Sequence, residues 1–229
     1  MNTKQLKLKA KAALKGNWKF GIFAFFITWV VSSVFDVPEF VPEGHLQSVW
    51  NLLVTALIVG PFTTGIHWFF LDIWDEKTLM YRNIMDFTRH YLKVAAVTFL
   101  AYAATVIGML LLVFPGIWMA LSLSQAIYLL KDDPQRGIVQ CLKESYDAMK
   151  GERLRLFKLY LSFWPFVAIP VGLVLIAFLA FPASQVGGFL ILLTIAYITL
   201  IGFYLIPFFS TARAGFYREA IDRKPLHSK

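Results

Sequence analysis

Near the inner end of an apolar run at residues 50–71 stands an imidazole, His67, and five positions after it a carboxylate, Asp72. Ionisable groups at membrane depth are costly and persist where protons or ions are handled, so the two are a candidate pathway or relay. A plainer reading places both at the interface among Trp68, Phe69 and Trp74, where an imidazole is inexpensive. Asp132-Asp133 suggests a metal-diphosphate site. Yet Asp133 followed by Pro134 is also a helix start, with the carboxylate as cap and proline in the first position. His45, His90 and His227 fall in separate connections without ligand spacing, so neither a metal nor a cofactor is expected. Phosphate-loop, HExxH, GxSxG and CxxC patterns are missing, and nothing in the chain points to catalysis. Cys141, the lone cysteine, has no partner for a disulfide and reads as a small apolar residue.

The elements that must position these residues follow from composition. The 229 residues are 58% hydrophobic and 16% charged, whereas soluble domains carry about a quarter charged residues. This is the composition of a multi-pass membrane protein forming a single integral-membrane domain over 1–229. The 22 lysines and arginines occur only in alternate connections between apolar runs. By the positive-inside rule, those connections and both termini are cytoplasmic. The net charge of +8 therefore faces anionic headgroups, and nucleic acid is not the expected partner.

The fold class is all-α, with about six transmembrane helices expected at 18–35, 50–71, 94–114, 117–130, 159–181 and 188–209. An N-terminal basic region before an apolar run resembles a signal peptide, but no small-x-small cleavage site follows, and residues 18–35 read as a retained span. Residues 1–17 form an interfacial amphipathic helix with Lys4, Lys7, Lys11 and Lys15 in one stripe. The acidic, twice-prolined stretch 36–49 is an external loop. Gly60-Pro61 breaks span two, with Thr63 or Thr64 available to freed carbonyls. Pro115-Gly116 is an external hairpin, since one continuous helix would place Lys131 and its basic neighbours outside. A cytoplasmic amphipathic helix at 134–150 starts at the Asp133/Pro134 cap and buries Ile138, Leu142, Tyr146 and Met149. Arg153, Arg155 and Lys158 lead into span five, and a basic tail follows span six.

In order and spacing, several of these pieces resemble the bacterial integral-membrane family catalogued as domain of unknown function 975. They are Leu14-Lys15-Gly16-Asn17-Trp18, Gly60-Pro61-Phe62 with Gly65, Phe114-Pro115-Gly116-Ile117, Asp132-Asp133-Pro134 and the run from Ser145 to Gly151. Leu156-Phe157-Lys158-Leu159, Leu161-Ser162-Phe163, and Pro207 with Ala212 and Phe216-Tyr217 complete the set. The resemblance implies a membrane protein without an assigned reaction. The expected location is the bacterial plasma membrane, and the expected partners are anionic lipids, with a membrane protein or a second copy also possible. Candidate headgroup contacts are Lys4, Lys7, Lys11, Lys15, Arg153, Arg155 and Lys158. The expected role is non-enzymatic: organising lipid or a partner at the cytoplasmic leaflet, in envelope maintenance, peptide immunity or a larger complex. The alternative is a small transporter or channel with a path near broken spans two and five.

Overall fold

The computed structural model describes residues 2–34, 53–180 and 184–223, together with Gln47 and Trp50. The external loop expected at 36–49, the start of span two and the turn near 181–183 lie largely or wholly outside them. Every regular element among the described residues is helical. Four stretches are long and apolar enough to cross a membrane: Thr55–Trp74, Tyr81–Leu111, Val113–Asp132 and Gln185–Arg223. Arg153–Phe166 and Ala168–Ala180, bent by 43°, make a fifth if joined, and Trp18–Val31 is a shorter apolar helix. The six expected spans thus correspond to four such helices, one bent pair and one shorter helix.

Helix α1 (Thr3–Leu14) buries Leu6, Ala10 and Leu14, whose spacing of four aligns them on one face. That face packs on the last helix of the chain and on the third. Gly16 adopts φ +87°, a left-handed conformation that glycine takes without a side-chain clash, and turns the chain into α2 (Trp18–Val34).

Span two contains one π turn, Thr55–Val59, followed by α3 (Gly60–Trp74). Proline at position 61 has no N–H for the carbonyl of Leu57, and the Tyr91 hydroxyl donates to that oxygen instead. Thr63 and Thr64 both donate to the Gly60 carbonyl, at 2.9 and 3.0 Å. The expected break at Gly60-Pro61 is instead a passage from π to α winding within one continuous helix, Thr55–Trp74, with its acceptors used. Between spans two and three lies a 3-10 helix, Tyr81–His90, with Ile84 and Phe87 buried. It lies so close to α3 that a Cβ on Gly65 would stand 2.3 Å from the Ile84 carbonyl oxygen.

Helices α4 (Tyr91–Leu111) and α5 (Val113–Leu123) form the expected hairpin, but its corner is Leu112, in extended conformation. Pro115 and Gly116 belong to the first turn of α5. There proline loses nothing, because the first backbone N–H groups of a helix have no intrahelical acceptor. Gly116 meets α4 at Met109, whose Cα would lie 2.8 Å from a Cβ at position 116. The tip, residues 110–114, is wholly apolar and 68–82% exposed. After a break at Ser124-Gln125, α6 (Ala126–Asp132) continues the return helix, so the fourth apolar run reaches well beyond 14 residues.

Three further expectations are corrected. Asp133 and Pro134 do not cap a helix: α7 (Ile138–Ala148) begins four residues later, with Gly137 as its N-cap. Asp133 instead accepts from the Gln135 N–H at 3.0 Å, and Arg136 holds the turn by reaching the Leu129 carbonyl and Glu144. The most buried stripe of α7 is Cys141, Ser145 and Ala148, with Met149 following, rather than one centred on Ile138, Leu142 and Tyr146. Span five is two helices, α8 (Arg153–Leu161) and α9 (Trp164–Ala180), with Pro165 in the first turn of the second.

The largest departure is at the C-terminal end. Helix α10 (Gln185–Arg223) runs 39 residues, about 58 Å at 1.5 Å per residue. The basic tail expected after residue 209 is thus helix as far as Arg223, and residues 224–229 lie outside the described residues. It packs because Ala212, Ala214, Gly215 and Ala220 keep its surface low, while Phe216 and Tyr217 fill the core. A Cβ on Gly215 would stand 2.3 Å from the Trp74 ring.

We expect Gly65→Ala to lower stability by about 1–3 kcal/mol, the usual cost of overpacking. Gly172→Ala, whose added methyl meets nothing within 4 Å, should be neutral or slightly stabilising. Thermal unfolding in detergent compares the two.

Candidate functional site

Five positions on a helix are about 140° apart around its axis, and His67 and Asp72 accordingly enter different clusters. Asp72 is 4% exposed and lies 2.6 Å from Lys131 and 2.9 Å from Lys77. Lys131 also donates to the Trp68 carbonyl, and the Trp68 indole donates to the Ile127 carbonyl at 2.7 Å. This group fastens the end of α3 to α6.

His67 meets Arg213 of α10, with Nε2 3.2 Å from Nη1. A guanidinium only donates, so Nε2 accepts and the neutral ring carries its proton on Nδ1. That Nδ1 is buried without a hydrogen-bond partner among the described residues. Arg213 donates through Nη2 to the Ser124 carbonyl at 2.8 Å, the backbone oxygen at the α5–α6 break. Its guanidinium lies 5.7 Å from the centroid of Tyr128, which stacks on Tyr217. A cavity of about 400 Å³ adjoins it, lined by Thr63, Thr98, Ala101, Tyr102, Ser124 and Arg213 among others. Gly60 also lines this cavity, so the π-to-α junction of span two lies beside it.

A second arginine one and a half turns further along α10 binds two acids. Arg218 donates to Asp75 through Nε at 2.9 Å and Nη2 at 2.5 Å, and to Asp132 through Nη1 at 2.7 Å. Asp132 also accepts from the Tyr217 hydroxyl. The aspartate read as a candidate metal ligand is the acceptor of an arginine and a tyrosine.

The basic residues expected at headgroups divide into two groups. Lys4, Lys11, Lys15 and Lys158 are exposed. Lys7 lies two turns before Leu14 and shares its flank. Its stem follows the core, its ammonium donates to the Ser162 carbonyl at 3.0 Å, and it sits 4.0 Å from the Phe163 centroid. Burial pushes that ammonium below its ordinary pKa. Arg153 is turned inward, 7% exposed, between the rings of Trp118 and Tyr146. Arg155 pairs with Glu152 and Glu219. A helical and largely buried 210–220 supplies Arg213, Arg218 and Glu219, none of which the sequence pattern had singled out. The available signal was the spacing of Ala212, Phe216 and Ala220, which continues a helical face past the hydropathy limit.

Two outcomes follow from this charge network. Arg218→Ala should lower stability by about 1–3 kcal/mol, between the values for exposed and buried pairs because the partners are partly exposed. Arg218→Lys, which loses the two-pronged contact, should fall between them in thermal unfolding. Burial alone would raise the Glu152 carboxyl, but Arg155 and then Arg223 hold it below its usual 4.5. A lowered folded-state pKa stabilises the fold fully above 4.5, and that contribution is lost as pH falls through the lowered value. Acid unfolding of Glu152→Gln should accordingly show a shallower pH dependence than the parent chain.

The family model described as protein of unknown function (DUF975) matches residues 95–224. Comparison with curated proteins and with solved structures gives no significant match. The matched part holds the Leu112 hairpin, the Asp132 cluster, the α8–α9 break and both core arginines of α10, while α1 and Gly60-Pro61 precede it. Spanning more than half of the chain, that match places the protein in the DUF975 family.

Proposed function

We propose that this is a non-enzymatic, multi-pass protein of the bacterial plasma membrane that holds anionic lipid at the cytoplasmic leaflet, with both termini inside. The observation that carries the reading is the docking of α1. Leu6, Ala10 and Leu14 bind it to the bundle, Lys7 ties it to the α8–α9 break, and Lys4, Lys11 and Lys15 remain outward. A lysine face held on a rigid support does not lose the conformational freedom that a flexible basic tail would lose on binding.

The apolar surface supports the same reading. The hairpin tip at 110–114 has no polar side chain to face water, so it remains in hydrocarbon at the outer leaflet. Between α2, α9 and α10 lies a cavity of about 820 Å³ walled by Phe25, Phe163, Phe166 and Pro170 among others. Its lining suits acyl chains.

Each lysine near an anionic surface contributes ~1 kcal/mol before screening. Replacing Lys4, Lys11 and Lys15 together by glutamine should weaken phosphatidylglycerol binding about tenfold or more, with thermal unfolding unchanged. Native mass spectrometry of the full chain with phosphatidylglycerol or phosphatidylcholine measures this. Equal retention of phosphatidylglycerol by parent and triple variant would reject the reading.

A further inference from the structure

We propose that the cavity between the π turn, α3, α4 and α5 binds the oxyanion head, phosphate or carboxylate, of a small molecule or lipid, with Arg213 as its charge partner. Arg136, Arg155, Arg218, Arg223, Lys77, Lys131 and Lys150 each reach a carboxylate within 4 Å. Arg213, deep in the bundle, reaches none among the described residues. The ionisable groups that face it are His67 and the hydroxyls of Tyr128 and Tyr160. A guanidinium enclosed by neutral groups is expensive, because its charge is desolvated without an opposite charge in return. Its Nε is buried and has no hydrogen-bond partner among the described residues.

Among the residues that line the cavity, Arg213 carries the positive charge. The hydroxyls of Thr63, Thr98 and Thr105 donate to their own helices, at the carbonyls of Gly60, Val94 and Ala101. Charge recognition therefore rests on the guanidinium, whose planar donors suit the paired oxygens of a phosphate or carboxylate. His67 and the Ser124 carbonyl hold it in place through Nη1 and Nη2. Phe99 and Tyr102, 38% and 50% exposed on the apolar surface of α4, also line the cavity. Entry is thus from the lipid side, which suits an anionic head with an apolar tail. A volume of about 400 Å³ is within the range of small-molecule sites, ~300–1,000 Å³.

The test uses the full chain in detergent and native mass spectrometry with three probes: dioctanoyl phosphatidylglycerol, dioctanoyl phosphatidylcholine and inorganic phosphate. Saturable binding of one phosphatidylglycerol, weakened about tenfold or more by Arg213→Gln and by Ala101→Leu, is the expected result. The second variant fills the cavity and keeps the charge, so it decides the matter if Arg213→Gln does not fold. Competition by phosphate would assign the site to a free anion, and its failure to compete would assign it to an amphiphile. Parent affinity in Ala101→Leu, or equal binding of the zwitterionic lipid, overturns the proposal. Retained tight binding in the triple lysine variant supports the cavity independently of the lysine face. Loss in that variant alone upholds the lysine face and overturns the cavity.

Discussion

Arg218 joins two carboxylates that sit at the ends of different helices, Asp75 after α3 and Asp132 at the end of α6. Without a cation between them these acids would repel across a partly buried gap, and the two helix ends would separate. With it, three helices meet at one point. The lower half of α10 thereby becomes the axis around which the charged end of the bundle is built. Arg223 and Glu219 extend the contact to the start of α8 through Glu152 and Arg155. Arg213 is carried to His67 and Ser124 by the same helix.

Close approach is the second condition. Gly65 lets the 3-10 helix lie on α3, Gly116 lets α5 lie on α4, and Gly215 receives the Trp74 ring. At each contact a methyl group would meet backbone or a ring wall closer than carbon atoms approach. Small residues at helix crossings are the usual device in a membrane, where lipid tails compete equally with apolar side chains for burial. The charged end then supplies what the crossings alone do not, a fixed register between helices.

Much of the helical framework was legible in the sequence. The amphipathic helix at the N-terminus, a disturbance at Gly60-Pro61 and the reversal near residues 112–116 each follow from spacing, from proline's missing N–H or from charge balance. The wrong details have local causes. Pro115 looks like a corner because proline ends helices, yet it equally begins them, and only the chain's path distinguishes the two. Asp133-Pro134 looks like a cap for a similar reason, and the turn held by Arg136 displaced the helix start.

The amino-acid order by itself determined a helical chain with runs apolar enough to cross a membrane, because hydropathy and helix periodicity are properties of neighbouring residues. Tertiary structure alone decided which of its bases are spent inside the protein. Arg218 finds Asp75 across 143 positions and Arg213 finds His67 across 146. Such pairings carry no local signature: the energy of bringing a charge to its partner depends on the separation and burial that packing creates, and neither exists until α10 is in place.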